Sequence, residues 1–120
     1  MKIVFDVDGT LALDDGRDYE SFREAPAMWI LRALWHAGGH TLVVVTGREQ
    51  CPPELLTWVD KAICRDWPVP ADPAGYYPQY FAWKVRTIVA IGADLAIDDD
   101  QQVWVPAAAY HGFRREVDRQ

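Results

Sequence analysis

The sequence predicts an α/β domain of three layers, a Rossmann-like arrangement with helices covering both faces of a central parallel sheet. Three observations predict it. Short β-prone apolar runs alternate along the chain with longer segments whose apolar residues recur at helical spacing. The clearest run, "TLVVVT", is apolar almost throughout, as a strand covered on both faces requires. Polar groups also follow the apolar runs directly, in "VFDVDGT", "VVVTGR" and "LAIDDD". An open α/β sheet places its ligands there, beyond the carboxyl ends of its strands.

Each element follows from its own residues. "KIVF" is the first strand, since Ile3, Val4 and Phe5 suit a buried pleat. "APAMWILRALWHAGG" predicts a helix: Pro26 fits a first turn, Ile30, Leu31, Leu34 and Trp35 share helical spacing, and Gly38 can end it. "HTLVVVTG" is the second strand. "PPELLTWVDKAICRDW" predicts a second long helix with proline at its start, and "WPVPADPAGYYP" a loop in which "AGYYP" forms a short third strand. "YFAWKVRTIVAIG" predicts a third helix, with Lys84 near its start and Gly92 near its end. "DLAIDDD" is the fourth strand, ending in acids. The tail pattern "AAAYHGFRREV" fits a strand or a helix equally.

The 120 residues, without internal repeats or an evident linker, are expected to form a single domain, 1–120, able to bury a core without disulfides. A net charge of −6 argues against a surface that coats nucleic acid generally. It leaves open the binding of one strand end, where a cation and a few arginines neutralise phosphate locally. Cys51 and Cys64 are too few for a disulfide framework and are expected as reduced thiols. They do not complete a zinc site with His36 and His40, because Gly38 and Gly39 break the helix that would align the histidines. No apolar run has a membrane span's length and no signal segment opens the chain, so a cytoplasmic protein without membrane contact is expected.

The chemistry gathers at the strand ends. Asp6 and Asp8, at i and i+2 of an extended chain, would share one face, and two close carboxylates repel unless a cation or proton intervenes. With Asp98 and Asp99 they form an oxygen-only set suited to Mg²⁺. Thr46, Lys84 and the backbone beside Gly47 would add a cradle for a phosphoryl group. One carboxylate is then free to attack phosphorus, and a second to move a proton. Asp100 reads as a solvent-facing neighbour rather than a ligand. Trp67 or Trp83, near the cleft, could stack a base or simply pack.

These motifs, in this order, resemble those of the haloacid dehalogenase (HAD) superfamily of phosphohydrolases: "FDVDGT", the threonine of "VVVTGR", the lysine of "AWKVR", and "AIDDD". The resemblance covers residues 2–105. It implies Asp6 as nucleophile, Asp8 as general acid and base, and Thr46 with Lys84 as phosphate ligands. It further implies that Asp6, the Asp8 carbonyl, Asp98 and Asp99 hold Mg²⁺. "FDVDGTLA", "GRDYE", "VVVTGRE" and "LAIDDDQQVW" are similar to the 3′-phosphatase domain of phage-type polynucleotide kinase/phosphatases, which implies substrate-binding arginines at Arg17 and Arg48. The implied activity is removal of a 3′-phosphate from DNA or RNA ends. The chain departs from that pattern at Tyr80, at Asp100 and in the short segment from Lys84 to Asp98. Too few residues separate the first motif from the first long helix to house a cap domain. No G-x-x-x-x-G-K-[ST] is present, so a kinase or ligase would come from a separate partner. The same chemistry on a nucleotide or sugar phosphate, and a non-catalytic binding module, are the competing expectations.

Overall fold

Alternation along two adjacent strands sets the layers of the fold. The computed structural model describes residues 1–13 and 22–99. Arg17, Asp100, Trp104 and the tail from Ala107 lie outside the described residues. Strand β1 (Lys2–Phe5) and strand β2 (Thr41–Thr46) pair in parallel, with Ile3 opposite Leu42 and Phe5 opposite Val44. Strand β3 (Lys61–Cys64) adds beyond β2 and strand β4 (Leu95–Ile97) beyond β1, giving the order β3-β2-β1-β4, all parallel.

Successive strand residues point to opposite faces, and each face finds its own helices. Ile3, Phe5, Leu42 and Val44 pack with Met28 and Leu31 of helix α1 (Met28–Ala37) and with Leu55 of helix α2 (Pro53–Leu56). Val4, Val43 and Val45 pack on the other face with Ile88 of helix α3 (Tyr76–Ala90). Each such fully buried aliphatic contributes on the order of 1.5–3 kcal/mol. The α/β class and the parallel sheet are as expected. Among the described residues no helix is long and apolar enough to cross a membrane.

Three expectations are corrected. The long helix over "PPELLTWVDKAICRDW" is one turn, α2, and its second half is strand β3. A short apolar run such as "KAIC" carries no period of its own, and backbone pairing with β2 decides its state. The short strand at "AGYYP" is instead a 3₁₀ turn over Pro73–Gly75 running into α3, so Lys84 sits deep inside that helix, not at its start. On α1, the buried stripe is Met28 and Leu31, while Ile30 and Trp29 face out.

A repeated device starts the two outer strands. Asp60, just before β3, donates its N–H to the Leu42 carbonyl at 2.8 Å and accepts the Leu42 N–H on its carboxylate at 2.7 Å. Asp94, just before β4, does the same to Lys2, at 2.8 and 2.7 Å. Each aspartate closes the ladder of the inner strand where its neighbour has not yet begun. Asp60→Ala should therefore destabilise the fold by about 1–2 kcal/mol, read by urea denaturation. A loss below a few tenths would show that the side-chain bond does not hold the edge strand.

Candidate active site at the sheet's switch point

The strand order reverses beside β1: the chain builds outward through β2 and β3, then returns to place β4 on β1's other edge. Ligand crevices of open α/β sheets form at such a reversal. Asp6 leaves the end of β1 with its N–H bonded to the Ile97 carbonyl at 3.0 Å, which brings it level with the end of β4. Asp98 follows β4 there. Both carboxylates are buried, at 5% and 4% exposure. Lys84, reaching across from α3, places its Nζ 2.6 Å from Asp6 Oδ1 and 2.6 Å from Asp98 Oδ2. The Tyr80 hydroxyl, one turn earlier on α3, takes a third N–H at 3.1 Å.

The chain turns sharply after Asp6. The Val7 carbonyl accepts N–H groups from Thr10, Leu11 and Ala12, and the extended spacing expected of Asp6 and Asp8 is lost. Their side chains diverge. Asp6 faces Lys84, with the Thr10 hydroxyl donating to its other oxygen at 3.3 Å. Asp8, half-buried, is gripped by Arg48 from the end of β2, through Nε at 3.2 Å and Nη2 at 2.6 Å. The two acids thus have separate cations rather than one between them. Gly9 (φ +84°) completes the turn, and a Cβ there would lie 2.1 Å from an Asp99 carboxylate oxygen.

Asp6, Asp98 and Asp99 each offer a carboxylate oxygen within 4.8 Å of one another. Lys84 supplies a single positive charge to this group, and hard oxygen donors of net negative charge fit a divalent cation. The Asp8 side chain is outside this set. Thr46, also buried, accepts the Arg48 N–H at 3.1 Å on its hydroxyl. An open cleft of about 850 Å³ runs from these groups, with Asp6, Asp8, Arg48, Asp98 and Asp99 on its lining.

Two features of the cleft escape the sequence reading. Arg65, just past β3, donates through Nε to the Gly47 carbonyl at 2.9 Å and through Nη1 to the Trp67 carbonyl, stiffening the rim. Its neighbours in sequence, "CRDW", give no sign of this, since it depends on β3 existing. Tyr76 and Tyr80 fill the space Gly47 leaves: a Cβ there would come within 2.9 Å of the Tyr80 ring and 3.0 Å of the Tyr76 hydroxyl. Gly47 therefore admits rings, in addition to any approach by an anion. Trp67 and Trp83 pack on each other at 6.1 Å and are not among the cleft's lining residues. Burial pushes the Cys51 thiol up to about 11, with Cys64 adding to the rise, so it is not poised as a thiolate.

Burial is also the largest influence on Asp6 and pushes its carboxyl up to about 8; Lys84 opposes the rise and Asp98 adds to it. For Lys84, burial alone would lower the ammonium, but Asp6 and Asp98 override it and hold it well above the usual lysine range. Between the ordinary carboxylate range and about 8, the native state then binds more protons at Asp6 than the unfolded chain. Stability falls as pH rises through that window. In EDTA, Tm should drop from about pH 5 to about pH 9, with a shallower slope in Asp6→Asn. Added Mg²⁺ should raise Tm more at the upper end, where it no longer competes with a proton. Equal slopes in the two proteins would overturn the assignment to Asp6.

No protein-family model matches the chain, and no curated protein matches it in sequence. Among solved structures, it is similar to a chain of the Pnkp1/Rnl/Hen1 RNA repair complex, with a TM-score of 0.65 at 23% identity. The match covers 97% of this chain and 40% of that one, so the present chain spans less than half of that neighbour's length. What the two share at this identity is the α/β fold.

Proposed function

We propose that this protein is a capless member of the HAD superfamily, a Mg²⁺-dependent phosphomonoesterase that removes 3′-phosphates from nucleic-acid ends. The observation that carries the reading is the meeting of Asp6 and Asp98 on Lys84 at the switch point, with Asp99 beside those two acids and Asp8 held apart on Arg48. A structural role alone does not call for two buried acids on one lysine, because such an arrangement costs desolvation that an apolar core would not. The fold shared with part of an RNA repair complex supports a nucleic-acid end as the substrate.

The residues divide the work. Asp6 attacks phosphorus through a carboxylate oxygen, forming an aspartyl phosphate as the bond to the leaving oxygen breaks. Asp8 gives that oxygen a proton, then takes one from water as the water attacks the same phosphorus. Inorganic phosphate leaves and the Asp6 carboxylate is restored. Thr46 and Lys84 hold the phosphoryl oxygens, whose charge grows during transfer. Arg48 orients Asp8 through its two-nitrogen grip and lies beside the path of the substrate's phosphates. Asp6, Asp98, Asp99 and the Asp8 carbonyl would hold Mg²⁺, which when bound neutralises charge on the phosphoryl group.

Phosphate release should be measured from a 3′-phosphorylated oligonucleotide, its 5′-phosphorylated twin and a 3′-mononucleotide, with Mg²⁺ and with EDTA. Mg²⁺-dependent release from the 3′-oligonucleotide alone is expected, and Asp6→Asn should abolish it in a folded protein. Equal rates on all three substrates would replace this reading with a general phosphatase. Silence on all three would leave a binding module.

Asp8→Asn should lower turnover about 10²- to 10⁴-fold on the oligonucleotide. The loss should shrink on an aryl phosphate, whose leaving group departs without a proton. An equal loss on both substrates would remove the acid role from Asp8.

A further inference from the structure

The face of α3 that carries Lys84 continues beyond it as an aromatic wall with no part in the phosphoryl chemistry. Tyr76, Tyr80 and Lys84 are spaced four residues apart on α3 and so share one stripe, with Tyr77 and Phe81 beside it. The rings are continuous. Tyr80, which touches Lys84, stacks on Tyr76 at 5.8 Å with 9° between planes. Tyr77 meets Tyr76 edge-on at 5.1 Å and stacks on Phe81 at 5.9 Å. Tyr77 ends the series at 61% exposure while lining the cleft.

We propose that this wall, centred on Tyr77, is a subsite that stacks the nucleobase of the terminal nucleoside of a single-stranded polynucleotide end. The inference rests on the phosphatase reading for where the phosphate lies. Tyr77 is seven residues from Lys84, about 10 Å along the helix axis, the reach of one nucleoside from its own phosphate. The ring ladder offers flat faces, which an unpaired base matches and an alkyl or sugar group does not. Arg48 and Arg65 also line the cleft, paired with Asp8 and Glu49. A paired base is already stacked in its duplex, so the subsite selects single strands.

The test is equilibrium binding of fluorescent 3′-phosphorylated oligonucleotides by anisotropy, in the Asp6→Asn background so that nothing turns over. Three probes are compared: a normal single strand, the same strand with an abasic 3′-terminal sugar, and a blunt duplex. Tyr77→Ala should weaken the normal strand about 5- to 100-fold and the abasic strand less than about twofold. Tyr77→Phe should keep the binding, and Tyr77→Leu, which retains bulk without a π-face, should lose it. Trp29→Ala, an exposed aromatic on α1 outside the cleft, serves as the control. Equal losses on normal and abasic strands, no loss at all, duplex binding as tight as single-strand binding, or no binding of any probe would each overturn the subsite. Base-selective binding together with no phosphate release by the unsubstituted protein would keep the subsite and overturn the phosphatase reading.

Discussion

The ammonium of Lys84 between Asp6 and Asp98 is the constraint on which the rest of the site depends. It joins three elements that the chain makes far apart: β1, α3 and the end of β4. Removing one partner from a buried ion pair commonly costs about 3–5 kcal/mol, because the other charge stays behind without compensation. Here one lysine answers two acids, so its loss would leave both. That dependence fixes the rotation of α3 on the sheet, and with it the face on which Tyr76, Tyr77, Tyr80 and Phe81 appear. The cleft wall and the acidic centre are therefore set by the same contact.

The separation of the two N-terminal acids is equally physical. Asp6 is buried at the inner end of the cleft, where burial raises its carboxyl, Lys84 opposes the rise and Asp98 adds to it. Asp8 is more accessible and has a guanidinium of its own, with a side chain 25% exposed. Under the proposed phosphatase reading, this gives the nucleophile a fixed position and the proton carrier access to water. Two residues of sequence separation suffice because the turn anchored on Val7 sends the side chains to different partners.

Much of this was legible in the sequence. The strands β1, β2 and β4 and the helices α1 and α3 announce themselves through apolar runs and helical spacing, and the acids and hydroxyl stand where those runs end. What was not legible depends on pairing between distant segments. "KAIC" becomes a strand because Asp60 clamps Leu42 and β2 offers an edge. Both outer strands share a device, an aspartate immediately before the strand's first residue, in "VDKAIC" and "ADLAI". Lys84 looked like a helix-start residue because "AGYYP" resembles a turn or strand. In fact Pro78 is tolerated in the first turn of α3, where a missing N–H leaves no intrahelical bond unmade.

Gly47 shows how one residue can satisfy two readings for different reasons. Its place after Thr46 suggests backbone access for an anion, yet the space it leaves open is taken by Tyr80 and Tyr76. Any side chain there would push the tyrosines away from the rim. Tyr80 would then lose its contact with the Lys84 ammonium, at 3.1 Å, and the ring series would lose the rung that connects it to the acids. Glycine at this position thus joins the loop after β2 to the aromatic face of α3. The cleft is consequently a single structure, with its charged end and its flat end held in register by a missing Cβ.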